Sequence, residues 1–189
     1  MPTITDKSQK KPLLSMKRIN HGTLGCTNLA KTRRFYEEVL GLDVIQTSPV
    51  SMMVSKNADF VYACVESPTH DGNMNMLNHN GLEVETHEEV NEAHRLLMSV
   101  KDEWGLKIMP ARTVHGAHTC YFKDFDGNWW EIVSAGERGY IGDFHDKEYD
   151  MTGLHEFDDW AELYEKTKEL RHVQDPETRA MMKEQLASK

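Results

Sequence analysis

The sequence predicts an α+β fold made of two tandem βαβββ modules and followed by a C-terminal helical extension. The first observation is a short pattern that occurs twice, once beginning at His21 and once at His79. In each copy the histidine is followed by apolar residues at +3 and +5 and by a helix-capping side chain at +7. The second observation is that each copy continues into a helix-like stretch and three strand-like stretches. The third observation is a change of character from Gly136 onward, where the strand pattern ends.

Size and composition limit what the chain can bind. Its 189 residues carry a formal net charge of −9 without any block of Lys or Arg, so we expect no nucleic-acid partner. No apolar run is long enough to span a bilayer, so we expect no membrane partner. The three cysteines lie in apolar strand-like runs without CxxC spacing, which is typical of buried, reduced thiols in a cytoplasmic protein.

The chain divides into an arm, a domain and an extension. Residues 1–17 are rich in Lys and Ser and lack the apolar core of a secretion signal, which predicts a disordered arm. The domain is expected over residues 18–135, with modules at about 18–66 and 79–134. Residues 136–189 are expected to form an irregular segment followed by C-terminal helices.

The first module begins with a strand at about residues 18–26, in which Leu24 and Cys26 alternate with polar or small residues. Asn28 can cap the helix that follows, and Gly41 is well placed to end it. Three more strands are expected at about residues 42–47, 50–55 and 60–66.

The second module repeats this order. A strand at about residues 79–85 leads to Thr86, which can form a capping box with Glu89. The helix that follows has apolar residues at core spacing, and residues 124–128 supply the turn chemistry of a hairpin. Its strands are expected at about residues 107–109, 118–123 and 129–134.

The extension predicts an irregular segment over residues 136–153 and an amphipathic helix over 157–170, whose apolar stripe includes Trp160. Asp175-Pro176 is a good start for a last helix that ends at about Ala187. We expect this extension to pack on the domain or on a second subunit.

The repeated pattern predicts a metal site. When the apolar residues of the first strand face the helix, His21 points to the opposite face, and His79 does the same in the second module. A pseudo-twofold axis between the modules would bring both histidines into one cleft. The hairpin turn sets Tyr121 opposite Glu131, so both would project from the same face. Two imidazoles and one carboxylate on strands predict a divalent metal ion with open positions.

These motifs resemble those of the vicinal oxygen chelate superfamily, from residue 18 to about 134. The superfamily includes glyoxalase I, fosfomycin-resistance enzymes, antibiotic-sequestering proteins and extradiol ring-cleaving dioxygenases. The resemblance implies a cupped mixed sheet built from the two modules, and His21, His79 and Glu131 match its three metal-ligand positions.

Within the superfamily, the last hairpin is most similar to one-domain type I extradiol dioxygenases. Their signature of tyrosine, Asp-Pro, glycine and ligand glutamate is matched by Tyr121, Asp124, Gly127 and Glu131, apart from the proline. His115 falls near the position of their upstream histidine. The resemblance therefore implies Tyr121 and His115 as catalytic residues and Fe(II) as the metal, with Mn(II), Zn(II) and Ni(II) as alternatives.

The function that this resemblance implies is ring cleavage of a small catecholic aromatic substrate by O2. One departure is that the strand at residues 60–66 has no histidine, whereas extradiol enzymes place a catalytic histidine there. The general base is therefore unassigned. We expect a homo-oligomer, a dimer or higher, because the superfamily commonly dimerises.

Two alternatives remain open. The first is a metal-dependent lyase, isomerase or thiol transferase of the glyoxalase or fosfomycin-resistance kind, which would use Zn, Ni or Mn and consume no oxygen. The second is a metal-free protein that binds an aromatic ligand or drug, in which His21→Ala would leave ligand affinity intact.

Overall fold

The two predicted modules are both present in the computed structural model of the chain. The structure describes residues 6–114, 117–136, 139–145, 150, 152–154, 156, 159, 161–162 and 165. Residues 6–20 contain no helix or strand. Among the described helices, none is long and apolar enough to cross a membrane. The result is an α+β architecture of two helices on mixed sheets.

The first module is a four-stranded sheet with one helix. Its elements are β1 (His21–Cys26), α1 (Leu29–Glu38), β2 (Asp43–Ser48), β3 (Ser51–Ser55) and β4 (Val61–Glu66). The strand order is β1-β4-β3-β2, with β1 parallel to β4. The Asn28 side chain accepts a hydrogen bond from the Lys31 backbone N–H, as the cap prediction requires.

The second module repeats the arrangement with one additional strand. Its elements are β5 (Asn80–Glu83), α2 (His87–Trp104), β6 (Lys107–Ile108), β7 (Arg112–Val114), β8 (Ala117–Lys123) and β9 (Trp129–Ser134). The order is β5-β9-β8-β6, and β7 also pairs with β8. Thr86 and Glu89 form the predicted capping box at the start of α2, and Gly105 ends the helix in a left-handed conformation.

Three elements differ from the sequence prediction. β7 was not predicted, because three residues are too few to show alternation. His79 lies just before β5, at the end of a short 3-10 turn (Met76–Asn78), and not inside the strand. A short helix, α3 (Gly142–His145), interrupts the segment predicted to be irregular. The predicted helices over residues 157–170 and 175–187 fall largely or wholly outside the described residues.

The helix-facing sides of both modules share one hydrophobic core. The Phe35 ring on α1 lies 5.3 Å from the Trp104 ring at the end of α2, measured between centroids. Tyr36 meets Trp130 edge to face at 5.6 Å. All three cysteines are buried and form no disulfide, which confirms that prediction.

The turn between β8 and β9 fastens the second module to the first. The Asp126 carboxylate is 1% exposed and accepts hydrogen bonds from the Thr27 backbone N–H at 2.8 Å, the Thr27 hydroxyl at 2.7 Å and the Thr32 hydroxyl. The Asn128 amide donates to the Gly25 carbonyl at 3.0 Å. These contacts lie at the start of α1, where backbone N–H groups favour negative charge.

The same turn contains a second buried carboxylate, Asp124. It accepts hydrogen bonds from the Asn128 backbone N–H at 2.9 Å and the Trp130 indole N–H at 3.0 Å. Burial nevertheless raises the pKa of Asp124 to about 6. Because an unperturbed Asp titrates near about 3.9, the folded state binds this proton more tightly than the unfolded state does.

The free energy of unfolding should therefore fall as the pH rises from about 4 to about 6, since the folded protein holds the Asp124 proton in that window. The expected contribution is about 2–3 kcal/mol. Urea unfolding at closely spaced pH values measures it. Asp124→Asn should remove this part of the slope, whereas Asp43→Asn, on an exposed strand position, should keep it. Equal slopes in all three proteins would contradict the prediction.

Candidate metal centre

Glu131 is held rigidly on β9. The register of β8 and β9 places it directly opposite Tyr121, which confirms the cross-strand pair predicted from the sequence. The Glu131 side chain is only 6% exposed. The Thr119 hydroxyl, on the same face of β8, donates a hydrogen bond to Glu131 Oε1 at 2.6 Å. This contact leaves Oε2 as the carboxylate oxygen available to a second partner.

That partner is His79, whose Nε2 lies 3.2 Å from Glu131 Oε2. The other ring nitrogen, Nδ1, lies 2.8 Å from the Met76 backbone carbonyl. A carbonyl oxygen only accepts hydrogen bonds, so Nδ1 carries the hydrogen. Nε2 therefore faces a carboxylate oxygen, and either a hydrogen on Nε2 or a metal ion between the two atoms would join them.

A divalent metal ion fits this donor pair. Two adjacent ligands of an octahedral ion at about 2.1 Å lie about 3.0 Å apart, close to the 3.2 Å between His79 Nε2 and Glu131 Oε2. Imidazole and carboxylate ligands suit Mn, Fe, Ni and Zn. The contacts from Met76 and Thr119 are of the kind that fix the orientation of metal ligands in metal sites.

Tyr121 borders the pair. Its ring lies 5.0 Å from the His79 ring, edge to face. Burial raises the pKa of the Tyr121 hydroxyl well above its usual value, and the hydrogen bond and negative charge of Glu131 raise it further. The phenol therefore keeps its proton at neutral pH and donates it in a hydrogen bond to Glu131.

His21 is on the predicted face of β1 but is separate from the pair. Leu24 and Cys26 are buried against the helix side, while His21 on the opposite face is exposed and contacts the Asn20 side chain at 3.0 Å. Across the described residues, no three His, Cys, Asp or Glu side chains converge on a possible metal position. One chain thus brings together two of the three predicted ligands, and the trio remains a prediction.

The remaining predicted residues fall in different places. His115 lies outside the described residues. Asp124 and Gly127 belong to the turn that fastens the modules together, so their contacts are structural. Thr119 and the Met76 carbonyl were missed by the sequence reasoning. The position of Thr119 could have been predicted, because Thr119 lies two residues before Tyr121 and must be on the same face of the strand.

The β4 strand bears out the departure seen in the sequence. Its Cys64 is fully buried on the helix side, and Tyr62 packs against Trp130. The β4 residues that flank Thr23 on the His21 face are apolar. They are Val61, Ala63 and Val65. β4 therefore supplies no proton-transferring side chain beside His21.

A separate cavity of about 670 Å³ lies at the β5 edge of the second sheet, between the end of α1 and α2. Its lining includes Leu82 and Ile132 on the helix side of the sheet, and also Gly81 and Glu83 on β5. Neither His79 nor Glu131 is among its described lining residues.

Comparison with protein families identifies the class. The model of the glyoxalase/bleomycin resistance protein/dioxygenase superfamily matches residues 18–132. The chain therefore belongs to this superfamily, as its motifs suggested. No match was found among curated protein sequences.

Solved structures support the same fold. The fosfomycin resistance protein FosX from Listeria monocytogenes, complexed with Mn(II) and sulfate, is 20% identical with a TM-score of 0.54, over 69% of this chain and 100% of that one. FosX from Mesorhizobium loti is 15% identical with a TM-score of 0.52, over 65% and 96%. A hypothetical protein from S. aureus is 18% identical with a TM-score of 0.50, over 64% and 99%.

If Glu131 binds a metal ion, the hydrogen bond from the Thr119 hydroxyl to Glu131 should increase the affinity for that ion. Thr119→Val removes the hydroxyl that orients Glu131 Oε1 and should weaken Mn(II) affinity about tenfold. Electron paramagnetic resonance of free Mn(II) measures this affinity. Thr113→Val is the matched control, because Thr113 is exposed and contacts His118 instead. Equal Mn(II) affinity in both variants, with folding verified by thermal denaturation, would contradict the assignment.

Proposed function

We propose that this protein is a metal-dependent, non-oxidative enzyme of the glyoxalase and fosfomycin-resistance kind. The observation that carries the proposal is the His79–Glu131 pair, in which Nε2 of an oriented imidazole faces an oriented carboxylate oxygen at 3.2 Å. A protein that only sequesters an aromatic ligand gains nothing from that arrangement. His79 and Glu131 would hold the ion, with His21 as the third ligand.

A second copy of the chain supplies His21 in this proposal. β1, which contains His21, and β5, which follows His79, are end strands of their sheets. Each therefore has an outer edge available for a partner. The face of the first sheet that carries His21 also bears exposed apolar side chains. Ile45 is 69% exposed and its cross-strand neighbour Met53 is 39% exposed. A twofold-related copy would cover this face and complete two identical sites.

The chemistry follows from the donors around the pair. A bound divalent ion supplies Lewis acidity to a coordinated substrate oxygen. Tyr121 keeps its proton, and its hydroxyl would donate to a substrate oxygen that takes the place of Glu131 as its acceptor. The perpendicular contact with the Tyr121 ring and the Met76 carbonyl hold the His79 ring in one orientation.

Mn(II) and a small oxyanion are the first ligands to test. The Listeria protein is complexed with Mn(II) and sulfate in one structure, and a variant of it with Mn(II) and 1S,2S-dihydroxypropylphosphonic acid in another. The second compound is a vicinal diol, and addition of water to an epoxide gives such a diol without any oxidant. Fosfomycin, with water or a thiol as the nucleophile, is therefore the first substrate class.

Ring cleavage by O2 has less support. Asp124 and Gly127, which suggested it, serve the turn, and β4 lacks the expected histidine. The Fe(II) site of such an enzyme would use the same ligand set, so metal binding alone does not separate the two functions. Oxygen consumption does separate them.

We expect Mn(II)-loaded protein to convert fosfomycin, in the presence of water, glutathione or cysteine, to a new phosphonate seen by phosphorus NMR. We expect no oxygen uptake when Fe(II)-loaded protein is given catechols. His79→Ala should abolish turnover because it removes a ligand, whereas His94→Ala on α2 should not. Oxygen uptake that depends on His79 would instead establish the dioxygenase. Absence of any bound metal would favour the ligand-binding alternative.

The shared site has its own test. His21→Ala and His79→Ala should each lose tight Mn(II) binding, and mixing the two after partial unfolding and refolding should restore it. In a mixed dimer, one site draws its intact His21 and His79 from different chains, so about a quarter of all sites should recover. Electron paramagnetic resonance counts them. Refolding each variant alone is the control, and no recovery in the mixture would place all ligands in one chain.

A further inference from the structure

The chain beyond the superfamily match returns to the second sheet at Gly139. Gly139 is buried and has φ +53°, a left-handed conformation that favours glycine. A Cβ added there would lie 3.1 Å from Glu83 Oε1. Gly139 also donates a backbone hydrogen bond to the Gly136 carbonyl at 3.1 Å, which forms a tight turn. The backbone at Gly139 is therefore packed against the Glu83 carboxylate.

Glu83 identifies the face of the sheet on which this turn lies. In the parallel pair of β5 and β9, Gly81 is level with Glu131 and Glu83 is level with Val133. Residues that are level in a ladder project to the same face, and residues two apart on a strand do so as well. Glu83 and Glu131 therefore share a face, and the turn at Gly139 leads over it.

The next residue, Tyr140, is half-exposed in this position. Partial burial raises the pKa of its hydroxyl, and the carboxylates of Glu131 and then Glu83 raise it further. Tyr140 in turn helps to raise the pKa of Tyr121. The Tyr121 and Tyr140 side chains thus both lie near the Glu131 carboxylate, one from β8 and one from the extension.

We propose that Tyr140 is a substrate-contact residue, which donates its hydroxyl hydrogen to an oxyanion, such as a phosphonate or phosphate group, bound at the His79–Glu131 pair. This inference rests on the function proposed above and deepens it. Glu131 and Glu83 repel an anion unless a divalent ion offsets their charge, so the anion binds only to the metal-loaded protein. The extension then supplies a second phenol near Glu131.

The test uses the full-length chain and two probes, Mn(II) alone and inorganic phosphate. Tyr140→Phe should leave Mn(II) affinity unchanged, because Tyr140 is not a ligand. It should weaken phosphate binding to the Mn(II)-loaded protein about tenfold, the usual effect of losing a hydrogen bond to a charged group. Phosphorus relaxation by bound Mn(II) measures phosphate affinity. Tyr62→Phe is the matched control, since Tyr62 packs on Phe60 and Trp130 away from the pair.

A second variant tests the placement of the turn. Gly139→Ala introduces a Cβ against Glu83 in a left-handed conformation and should also weaken phosphate binding while Mn(II) affinity stays the same. Unchanged phosphate affinity in Tyr140→Phe, or wild-type Mn(II) protein that binds no phosphate, overturns the inference and leaves the metal centre standing. A wild-type protein that binds no Mn(II) overturns the proposed function itself.

Discussion

The buried carboxylate of Asp126 is the contact on which the arrangement of the two modules depends. It lies in the turn between β8 and β9, yet its hydrogen-bond donors, Thr27 and Thr32, are at the start of α1 in the other module. A charge with 1% exposure is tolerated only when such donors satisfy it. Because the turn is fixed at both ends, the β8–β9 register is fixed, and Tyr121 must lie opposite Glu131.

The same turn also positions the other half of the pair. Gly127, at φ +90°, approaches the Gly72 backbone so closely that an added Cβ would collide with it. The His70 ring lies 2.6 Å from the Asp126 carbonyl through Nε2. These contacts hold the loop that runs on to the 3-10 turn before His79. The turn between β8 and β9 thus leads into the strand that contains Glu131 and also contacts the loop that precedes His79.

Local signals were sufficient for most of the elements and for one part of the site. Asn28 and Thr86 cap the helices as predicted because a cap depends on a few adjacent residues. The Tyr121–Glu131 pair followed from alternation and turn length. The orientation of the His79 ring was not predictable, since it is set by a backbone carbonyl that no side-chain pattern reveals. The distance of His21 from the pair depends on how whole modules pack, and strand periodicity contains no information about that.

The motif that favoured a dioxygenase shows why a fold-level signature is a weak guide to chemistry. The Asp124 carboxylate accepts hydrogen bonds from the Asn128 backbone N–H and the Trp130 indole N–H, and Gly127 donates its N–H to the Asp124 carbonyl in a tight turn. Any member of the superfamily that closes its last hairpin in this way needs similar residues, whatever reaction it catalyses. For this chain, the informative positions are β4, where the side chains beside Thr23 are apolar, and the extension at Tyr140, which lies near Glu131. The function of this chain should therefore be sought in the surfaces around the His79–Glu131 pair and not in its last hairpin turn.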